Sequence, residues 1–415
     1  MYKARPSFWS RFSHERTLYL IYNENINKGK EMFIVEKPFA SELLIDTILK
    51  HDWIVLDNEV IRSAGIEEGE MKFVSSDVAK SYYQKQEYPL IYSNSENAIS
   101  WVVENLPDSK LASYINLFKN KIEFRNLLKN IYPDYYYLPI DLENARQLQP
   151  EEIKYPVVIK PAVGFLSVGV HTVYDANEWQ KVITSLETEM DKATFMYPKT
   201  VVSDSQYIIE ELIQGEEFAI DAYYDRNGEP VILNIFQHPF YDKNDVSDRI
   251  YITSASIMLK HMAKFGILLK QIGDLADIRN FPLHMEVRVT EEGQVIPIEI
   301  NPMRFAGWCT TDVAKYAWKI NVYEYFYFQK RPDWNKIFSE AGSDIFYFSM
   351  AEVPSDIKKV EGFNYGKFLN NYSNILELRR INFTENPLFA VIFGSTTNEN
   401  EIKKIMSLKT KDFIL

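Results

Sequence analysis

One stretch of the sequence, residues 284–307, limits the folds open to this chain more than any other. It reads HMEVRVTEEGQVIPIEINPMRFAG, in which apolar and polar residues alternate on both sides of the turn signal EEGQ. Two alternating runs around a glycine-containing turn predict a β-hairpin, because successive strand side chains point to opposite faces of a sheet. If the valines and isoleucines share one buried face, then Glu286, Glu299 and Asn301 share the other.

The predicted register places Glu286 directly opposite Glu299. This register needs a loop of even length, centred on Glu292 and Gly293, because an odd loop would put the two apolar sets on opposite faces. Two like charges facing each other destabilise a sheet, and a divalent cation would reverse that effect. Two carboxylates and an amide oxygen are hard ligands that suit Mg²⁺ or Mn²⁺. A solvated polar face without a metal is the alternative.

The net charge of the chain limits the classes of partner that it is expected to bind. The 415 residues carry a net charge of −12, with a sequence pI of about 5.2. No long cluster of lysine and arginine is present, so no nucleic acid is expected as a partner. No apolar run is long enough to span a bilayer, and the first residues, MYKARPSFWSRF, lack the apolar core of a signal sequence. We therefore expect a cytoplasmic protein with no membrane partner.

The hydrophobic content of 46% supports two or three domains with their own cores. Up to residue 107, apolar runs typical of strands alternate with helical patterns, which favours an open α/β domain. Breaks follow at LPD, residues 106–108, and at PDW, residues 332–334. The sequence beyond the second break predicts a small α+β region. The first domain contains no GxGxxG pattern, so nothing there favours a dinucleotide.

The segment YPVVIKPAVGFLSVGVHTV, residues 155–173, predicts a phosphate-binding loop between two strands. Lys160 ends the first strand, and the loop that follows carries Gly164, Ser167 and Gly169. Small residues let backbone N–H groups approach a phosphate closely, and the lysine adds a point charge. The order of residues is not that of a Walker A loop. A glycine-serine hairpin loop beside a structural lysine is the alternative.

Three further features have simpler explanations when each is taken alone. The sequence QYIIEELIQGEEF, residues 206–218, predicts two strands with a turn at Gly215. Lys121 lies where a helix is predicted to begin, as an ordinary solvated lysine would. The single cysteine, Cys309, excludes an intramolecular disulfide. A catalytic thiol is conceivable there, but a buried structural thiol is favoured.

Taken in order, the stretches FKNKIEFRNLL, VVIKPAVGFLSVGV, YIIEELIQGEEF and HMEVRVTEEGQVIPIEINP resemble the ATP-grasp superfamily of carboxylate–amine (or –thiol) ligases. The resemblance implies an α/β chain with α+β subdomains. An N-terminal open α/β domain of residues 1–107 would precede an ATP-grasp domain of residues 108–334. That domain would have two β-rich subdomains, with a lid subdomain at about residues 122–210. Residues 335–415 would form the small C-terminal α+β region.

The resemblance also implies a role for each matching residue, with ATP and Mg²⁺ (or Mn²⁺) bound between the subdomains. Lys121, Lys160 and the loop at residues 164–169 would contact the phosphates. The adenine ring would lie along four residues: Glu210, Glu211, Leu212 and Ile213. Glu217 would bind the ribose, and the metal ligands would be Glu286, Glu299 and Asn301. Arg304 and Arg288 would contact the transferred phosphate. Many members have an arginine directly after EINP, whereas Met303 intervenes here.

The reaction implied is the joining of a carboxylate to an amine through an acyl phosphate, with release of ADP and phosphate. The substrates would be amino acids, small peptides or other small metabolites, and a homodimer is compatible with this function. A phosphotransferase and a nucleotide-binding regulator without turnover are the alternatives. The residues suggested for the acceptor site, by position alone, are His238, Tyr241, Arg249 and Tyr251. We also expect the loop at residues 162–168 to close over the phosphates, because water would hydrolyse an acyl phosphate.

Overall fold

The computed structural model describes residues 31–63, 69–163, 169–196, 206–240, 249–354, 357 and 360–415. Within these residues the chain forms three β-sheets flanked by helices. One sheet is parallel and two are antiparallel, so the predicted fold class is confirmed. The predicted first domain includes residues 1–30, which lie outside the described residues.

The N-terminal domain is a four-stranded parallel sheet with the order β3-β2-β1-β4. Its strands are β1 (Met32–Ile34), β2 (Ile54–Leu56), β3 (Lys72–Val74) and β4 (Ile91–Ser93). Its helices are α1 (Glu42–His51), α2 (Glu59–Arg62), α3 (Ser76–Tyr83) and α4 (Ile99–Asn105). A 3₁₀ turn, Glu96–Ala98, connects β4 to α4. This is the open α/β arrangement that the alternating pattern predicts.

Two short helices, α5 (Lys110–Lys119) and α6 (Lys121–Leu128), connect the N-terminal domain to the rest of the chain. The predicted helix start at Lys121 is confirmed. The side chain of Asn120 caps the helix by accepting from the backbone N–H groups of Ile122 and Glu123. The N–H of Lys121 donates to the carbonyl of Ala162 at 2.9 Å, which ties the start of α6 to the end of a later strand.

The smaller antiparallel sheet has the order β5-β8-β6-β7. Its strands are β5 (Tyr137–Ile140), β6 (Val157–Pro161), β7 (His171–Val173) and β8 (Tyr207–Glu211). Helices α7 (Leu142–Gln147) and α8 (Ala176–Met196) cover this sheet. Trp179 and Ile183 of α8 are buried against it in a separate hydrophobic core. The sheet falls almost entirely within the range predicted for the lid subdomain.

The larger antiparallel sheet has eight strands in the order β13-β12-β9-β10-β11-β14-β16-β15. The strands are β9 (Glu216–Tyr224), β10 (Pro230–His238), β11 (Ile250–Thr253), β12 (Phe281–Val289), β13 (Val295–Pro302), β14 (Ile345–Glu352), β15 (Ile375–Arg380) and β16 (Leu388–Thr396). The helices around it are α9 (Ala255–Ala276), α10 (Val313–Trp318), α11 (Val322–Tyr327), α12 (Trp334–Glu340), α13 (Tyr365–Leu369) and α14 (Glu399–Met406). Because β14 pairs with β11, the region predicted at residues 335–415 extends the same sheet.

The predicted hairpin is β12 and β13, and Glu286 lies opposite Glu299 as expected. Our expectation of an even loop was wrong. Val289 pairs with Val295, so the loop holds five residues, and the register then shifts between Glu286 and Val287. The shift leaves Ile298 as an extra residue on β13, which is a β-bulge. An odd loop and a one-residue bulge together give the glutamate pairing that an even loop alone would give.

The parallel sheet and the larger antiparallel sheet share one hydrophobic core. Phe33 of β1 packs against Tyr327 of α11 with ring centroids 4.6 Å apart. At the end of β4, the N–H of Ser93 donates to the carbonyl of Met303 at 3.0 Å. The N-terminal domain is thereby fixed beside the segment that follows the hairpin. No helix in the described part of the chain combines the length and hydrophobicity that a membrane span requires.

Candidate active site

The polar face of the hairpin brings the three predicted metal ligands together. The amide nitrogen of Asn301 lies 3.3 Å from Glu286 Oε1 and 3.4 Å from Glu299 Oε1. The two carboxylates are partly buried, with side chains 25% and 32% exposed. Burial alone would raise the pKa of Glu299, but Lys121 and Lys119 hold it below its usual value.

A buried histidine stands beside this face. His284 lies opposite Asn301 in the hairpin and opposite Asp221 of β9. Its Nδ1 is 2.8 Å from Asp221 Oδ1, and its Nε2 is 3.8 Å from Glu286 Oε1. Asp221 is fully buried, and among the described residues its Oδ2 atom has no hydrogen-bond partner. A carboxylate inside the otherwise apolar run FAIDAYY is a signal that could have identified this pair from the sequence.

The two predicted phosphate-binding lysines approach the site from separate elements. Lys121 Nζ, at the start of α6, lies 3.7 Å from Glu299 Oε2. Burial lowers the pKa of Lys121, although Glu299 opposes that effect. Lys160, at the end of β6, is buried and forms an ion pair with Glu210. The lysines come together because the backbone hydrogen bond from Lys121 to Ala162 joins their elements.

Glu210 lies between two cations. Its Oε2 accepts from Arg125 Nε at 2.8 Å, and its Oε1 faces Lys160. Burial alone would raise the pKa of Glu210, but Arg125 and Lys160 lower it to about 2. Arg125 also donates to the carbonyl of Pro297 at 2.7 Å, so it links α6, β8 and β13. Sequence reasoning missed Arg125, one helical turn after Lys121.

The residues predicted to bind adenine, 210–213, are followed by a turn whose backbone conformation only glycine can adopt. Gly215 has φ of +125°, and a Cβ there would lie 2.1 Å from the carbonyl oxygen of Val289. The backbone N–H of Glu211 donates to Tyr136 and that of Leu212 donates to Pro156. The carbonyl of Ile213 accepts from Arg288 Nη1 at 2.7 Å.

The predicted ribose-binding carboxylate, Glu217, lies between an arginine and a histidine. Its Oε2 is 2.9 Å from Arg288 Nη2, and its Oε1 is 3.1 Å from His238 Nδ1. Burial would raise the pKa of Glu217, and the contacts with His238 and Arg288 lower it. Arg288 is therefore engaged at the predicted nucleoside end of the face, whereas our expectation placed it at the transferred phosphate.

The N-terminal domain supplies a residue that sequence reasoning missed. Glu96 Oε1 lies 2.7 Å from Arg304 Nη2, and its Oε2 lies 2.5 Å from Lys119 Nζ. Burial would raise the pKa of Glu96, but the two cations lower it to about 2. Glu96 follows the buried strand β4 at the start of a helical turn, which is a position where functional carboxylates could have been sought.

Cys309 does not have the surroundings of a reactive thiol. The side chain is buried, and its Sγ lies 3.7 Å from the carbonyl of Phe39. Burial raises the pKa of the thiol to about 11, and Asp312 contributes to the rise. A thiolate is therefore disfavoured, in agreement with the structural role that the sequence favours.

Several predicted residues fall elsewhere. Gly164, Ser167 and most of the expected closing loop lie outside the described residues, as does Tyr241. Gly169 is described and has φ of +71°. His238 stacks on Tyr251 with ring centroids 4.3 Å apart, beside Glu217. Arg249 instead donates to the carbonyl of Met406 at 3.2 Å, on the C-terminal part of the chain.

The donor chemistry of the hairpin face fits a magnesium ion. Within the described residues, no three histidine, cysteine, aspartate or glutamate side chains lie close enough to hold a metal by themselves. The set here is two carboxylates and one amide, and magnesium sites commonly combine one or two carboxylates with substrate phosphates. The amide nitrogen of Asn301 faces both carboxylates, whereas a cation would be bound by the amide oxygen. Rotating the amide group by 180° exchanges these two atoms and leaves the shape of the side chain almost unchanged.

The fold is shared with several enzymes of solved structure. An L-amino acid ligase from Bacillus licheniformis superposes with a TM-score of 0.63 at 16% identity, covering 93% of this chain and 98% of that one. Biotin carboxylase from Campylobacter jejuni superposes at 0.62 with 13% identity, covering 93% and 91%. N5-carboxyaminoimidazole ribonucleotide synthetase from Thermotoga maritima superposes at 0.60 with 14% identity, covering 92% and 98%.

The comparison of sequences identifies the family of one domain, which the structural comparison alone does not. Residues 153–312 match the ATP-grasp domain family, and this range includes Lys160, Glu217 and the whole hairpin. The resemblance noted from the sequence is thereby confirmed: the chain contains an ATP-grasp domain. No curated protein matches the sequence.

Proposed function

We propose that this protein is an ATP-dependent ligase that joins a carboxylate to an amine. One observation carries the proposal. Glu286 and Glu299 lie opposite each other on a partly exposed face with Asn301 between them, and Lys121 lies 3.7 Å from Glu299. Carboxylates, an amide and a lysine that lie close together are the groups that bind a nucleoside triphosphate with its cation.

The nucleotide would lie across the hairpin face. Lys121 and Lys160 would contact its phosphates, together with the loop at residues 164–169. The adenine would lie along Glu210, Glu211, Leu212 and Ile213. Glu217 would bind the ribose hydroxyls. We assign to Arg288 the role of holding Glu217 in place, because its guanidinium contacts Glu217 and the carbonyl of Ile213.

Glu286, Glu299 and Asn301 would hold the magnesium ion, which when bound neutralises charge on the phosphates. Lys121 supplies a second positive charge at the same place. Arg304, two residues beyond the end of β13, is held by Glu96 and interacts electrostatically with Glu286 and Glu299, so we assign to it the stabilisation of the migrating phosphoryl group. Positioning and charge neutralisation are sufficient for phosphoryl transfer, so no protein nucleophile is required.

The reaction would proceed in two steps. An oxygen of the substrate carboxylate attacks the γ-phosphorus of ATP, and the bond to the β-phosphate oxygen breaks to release ADP. The amine then attacks the carbonyl carbon of the acyl phosphate, the C–O bond to phosphate breaks, and the amine loses a proton. The buried Cys309 takes no part, in accordance with its raised pKa.

The test is an assay of the full chain with ATP, Mg²⁺ and pools of amino acids and small carboxylates. Ligation predicts release of ADP and phosphate only when both a carboxylate and an amine are present, with an amide product detectable by mass spectrometry. A phosphorylated product would indicate a phosphotransferase instead. Absence of ADP with every acceptor would favour a nucleotide-binding regulator. Glu299→Gln serves as the matched control for contaminating ATPase, because it removes one charge and keeps the size of the side chain.

A further inference from the structure

The segment that carries Arg304, residues 302–312, has a strained backbone. Met303, Trp308 and Cys309 have φ values of 66°, 55° and 54°. Residues other than glycine rarely adopt this left-handed region, because it brings the side chain close to the backbone, and such residues cost conformational energy. Three of them in seven positions persist only where surrounding contacts hold the backbone. We call residues 302–312 the Arg304 segment.

Part of the support comes from the N-terminal domain and from β9. The N–H of Ser93 donates to the carbonyl of Met303, and Glu96 binds Arg304 itself. The N–H of Ala306 donates to Asp221 Oδ1 at 2.8 Å. These contacts fix the first half of the segment. At Trp308 and Cys309, where two consecutive residues are left-handed, the N-terminal domain contributes side-chain contacts through Phe39, whose ring centre lies 6.3 Å from that of Trp308 and whose carbonyl lies 3.7 Å from Cys309 Sγ.

The second half is held by an arginine from the far end of the chain. Arg379 of β15 is only 7% exposed. Its Nη2 forms an ion pair with Asp312 Oδ2 at 2.7 Å, and its Nη1 donates to the carbonyl of Cys309 at 3.5 Å. Tyr323 donates to the other oxygen of Asp312 at 2.7 Å. One guanidinium thus contacts the backbone of a left-handed residue and the carboxylate three positions later.

Arg379 is itself held in a fixed orientation. Its Nε donates to Glu377 Oε1 at 2.6 Å, and its guanidinium carbon lies 4.4 Å from the ring centre of Phe393. Tyr316 donates to Glu377 Oε2 at 2.6 Å. Burying this charge costs desolvation, which the contacts with Asp312 and Glu377 offset, so the position of the guanidinium is tied to theirs.

We propose that Arg379 is a positioning residue for the Arg304 segment, and that residues 335–415 thereby complete the active site. The placement of Arg304 depends on a backbone that is strained at both ends. Arg379 contacts the second of these ends through the carbonyl of Cys309 and the carboxylate of Asp312, alongside Phe39 of the N-terminal domain. The consequence for catalysis rests on the proposed ligase function. The consequence for the segment does not, and it can be measured without turnover.

Cys309 provides that measurement, because it is the only cysteine of the chain and lies inside the segment. In the native protein we expect the buried thiol to react slowly with a disulfide reagent such as 5,5′-dithiobis(2-nitrobenzoate). In Arg379→Met we expect about a tenfold or greater increase in the rate, because removing one partner of a buried pair destabilises its surroundings. Arg379→Lys keeps the charge beside Asp312 and should recover part of the protection.

Arg331→Met is the matched control, since Arg331 pairs with Asp225 at 2.6 Å away from the segment. Its thiol rate should equal that of the wild type. Thermal unfolding and circular dichroism identify a variant that has lost its fold, and in that case Arg379→Lys alone decides the question. A folded Arg379→Met protein with the wild-type thiol rate would overturn the proposal. Where Arg379→Met does not fold, an Arg379→Lys protein with the wild-type rate would overturn it, because lysine lacks the planar fork that contacts both Asp312 and the Cys309 carbonyl.

A second readout separates positioning from general damage. Arg379→Met should bind a non-hydrolysable ATP analogue with nearly wild-type affinity, because the predicted nucleotide contacts lie on other strands. Its kcat for ligation should fall by about tenfold or more, the loss expected when a charged group is misplaced. If the wild type shows no turnover but the thiol rates change as expected, the proposed ligase function fails and the positioning role stands. Unchanged kcat with a faster thiol would limit Arg379 to a structural role.

Discussion

Two clusters of charge in the candidate site differ in how far they are closed to solvent. In the first, Glu210 is only 4% exposed and faces Arg125 and Lys160. In the second, Glu286 and Glu299 face each other across the hairpin and are 25% and 32% exposed. Both clusters lie near the same lysines, yet one balances its negative charge with protein cations and the other concentrates it at an open face.

The difference separates what holds the site from what the site binds. A buried carboxylate with two cations has its charge balanced within the protein, so it fixes the elements that carry those cations. Two partly exposed carboxylates opposite each other repel, and a divalent cation relieves the repulsion. The first cluster therefore connects α6, β6 and β8, and the second is where an exogenous cation would be accepted.

Breaking the closed cluster should cost the most. Arg125→Met leaves the buried Glu210 with Lys160 alone and removes the hydrogen bond to Pro297, so we expect a loss of about 3–5 kcal/mol in the free energy of unfolding. Urea denaturation measures it. The exposed pair of Arg62 and Asp57 gives the control, and Arg62→Met should cost at most about 1 kcal/mol. Equal losses in the two variants would contradict the distinction between the clusters.

Breaking the open cluster should instead affect turnover. Glu299→Gln, or Asn301→Ala, removes a metal ligand, and we expect kcat to fall by about 10²–10³-fold, as for loss of one group that stabilises transition-state charge. In Glu299→Gln the free energy of unfolding should change little, because the Glu299 side chain is partly exposed and the substitution keeps its size. ADP release at saturating Mg²⁺ is the measurement. An unchanged rate would remove Glu299 from the metal site.

Lys160 pairs with Glu210 in the first cluster and is also predicted to contact the phosphates of ATP. Its substitution should have a smaller effect than the two above. Lys160→Ala should raise the dissociation constant for ATP by about tenfold, since a point charge beside the phosphates is lost while Arg125 still pairs with Glu210. Calorimetric titration with a non-hydrolysable analogue measures it. Lys260, whose side chain is 68% exposed, is the control, and Lys260→Ala should bind as the wild type does. Wild-type affinity in Lys160→Ala would make Lys160 a purely structural residue.

The last effect is confined to acid pH. The pKa of Glu210 is lowered to about 2 in the folded protein from its usual 4.5, so its stabilisation is complete above pH 4.5 and is lost as pH falls toward 2. Each such carboxylate contributes up to about 1.4 kcal/mol per pH unit in that window. Glu210→Gln should therefore flatten the dependence of unfolding free energy on pH between 4.5 and 2. Parallel curves for the variant and the wild type would argue against the shift.

The hairpin shows how far the sequence alone could go. Alternation identified both strands and the pairing of Glu286 with Glu299, because a buried face constrains register strongly. It could not identify the bulge at Ile298, since a bulge and an odd loop compensate each other in the pattern. As a result Ile296, expected on the buried face, lies opposite Arg288 on the polar one.

The residues missed are those whose partners are distant in sequence. Glu96 contacts Arg304 across 208 positions, and Arg379 contacts Asp312 across 67. Neither pair has a local pattern, because their meeting depends on how the N-terminal domain and the last strands pack on the larger sheet. Arg125 was missed for a different reason: a cation one turn into a helix resembles an ordinary solvated side chain until its burial is known.

The pairing of β11 with β14 has a consequence for the integrity of the chain. Four residue pairs, from Ile250 with Ser349 to Thr253 with Phe346, join the two strands across the boundary predicted near residue 334. A chain that stopped there would expose the whole length of β11 as an unprotected edge, with backbone N–H and C=O groups ready to pair with another molecule. Strand β14 therefore protects the edge of β11 from pairing with another molecule. Forms of this protein shortened near residue 334 are expected to precipitate before any loss of catalysis could be observed.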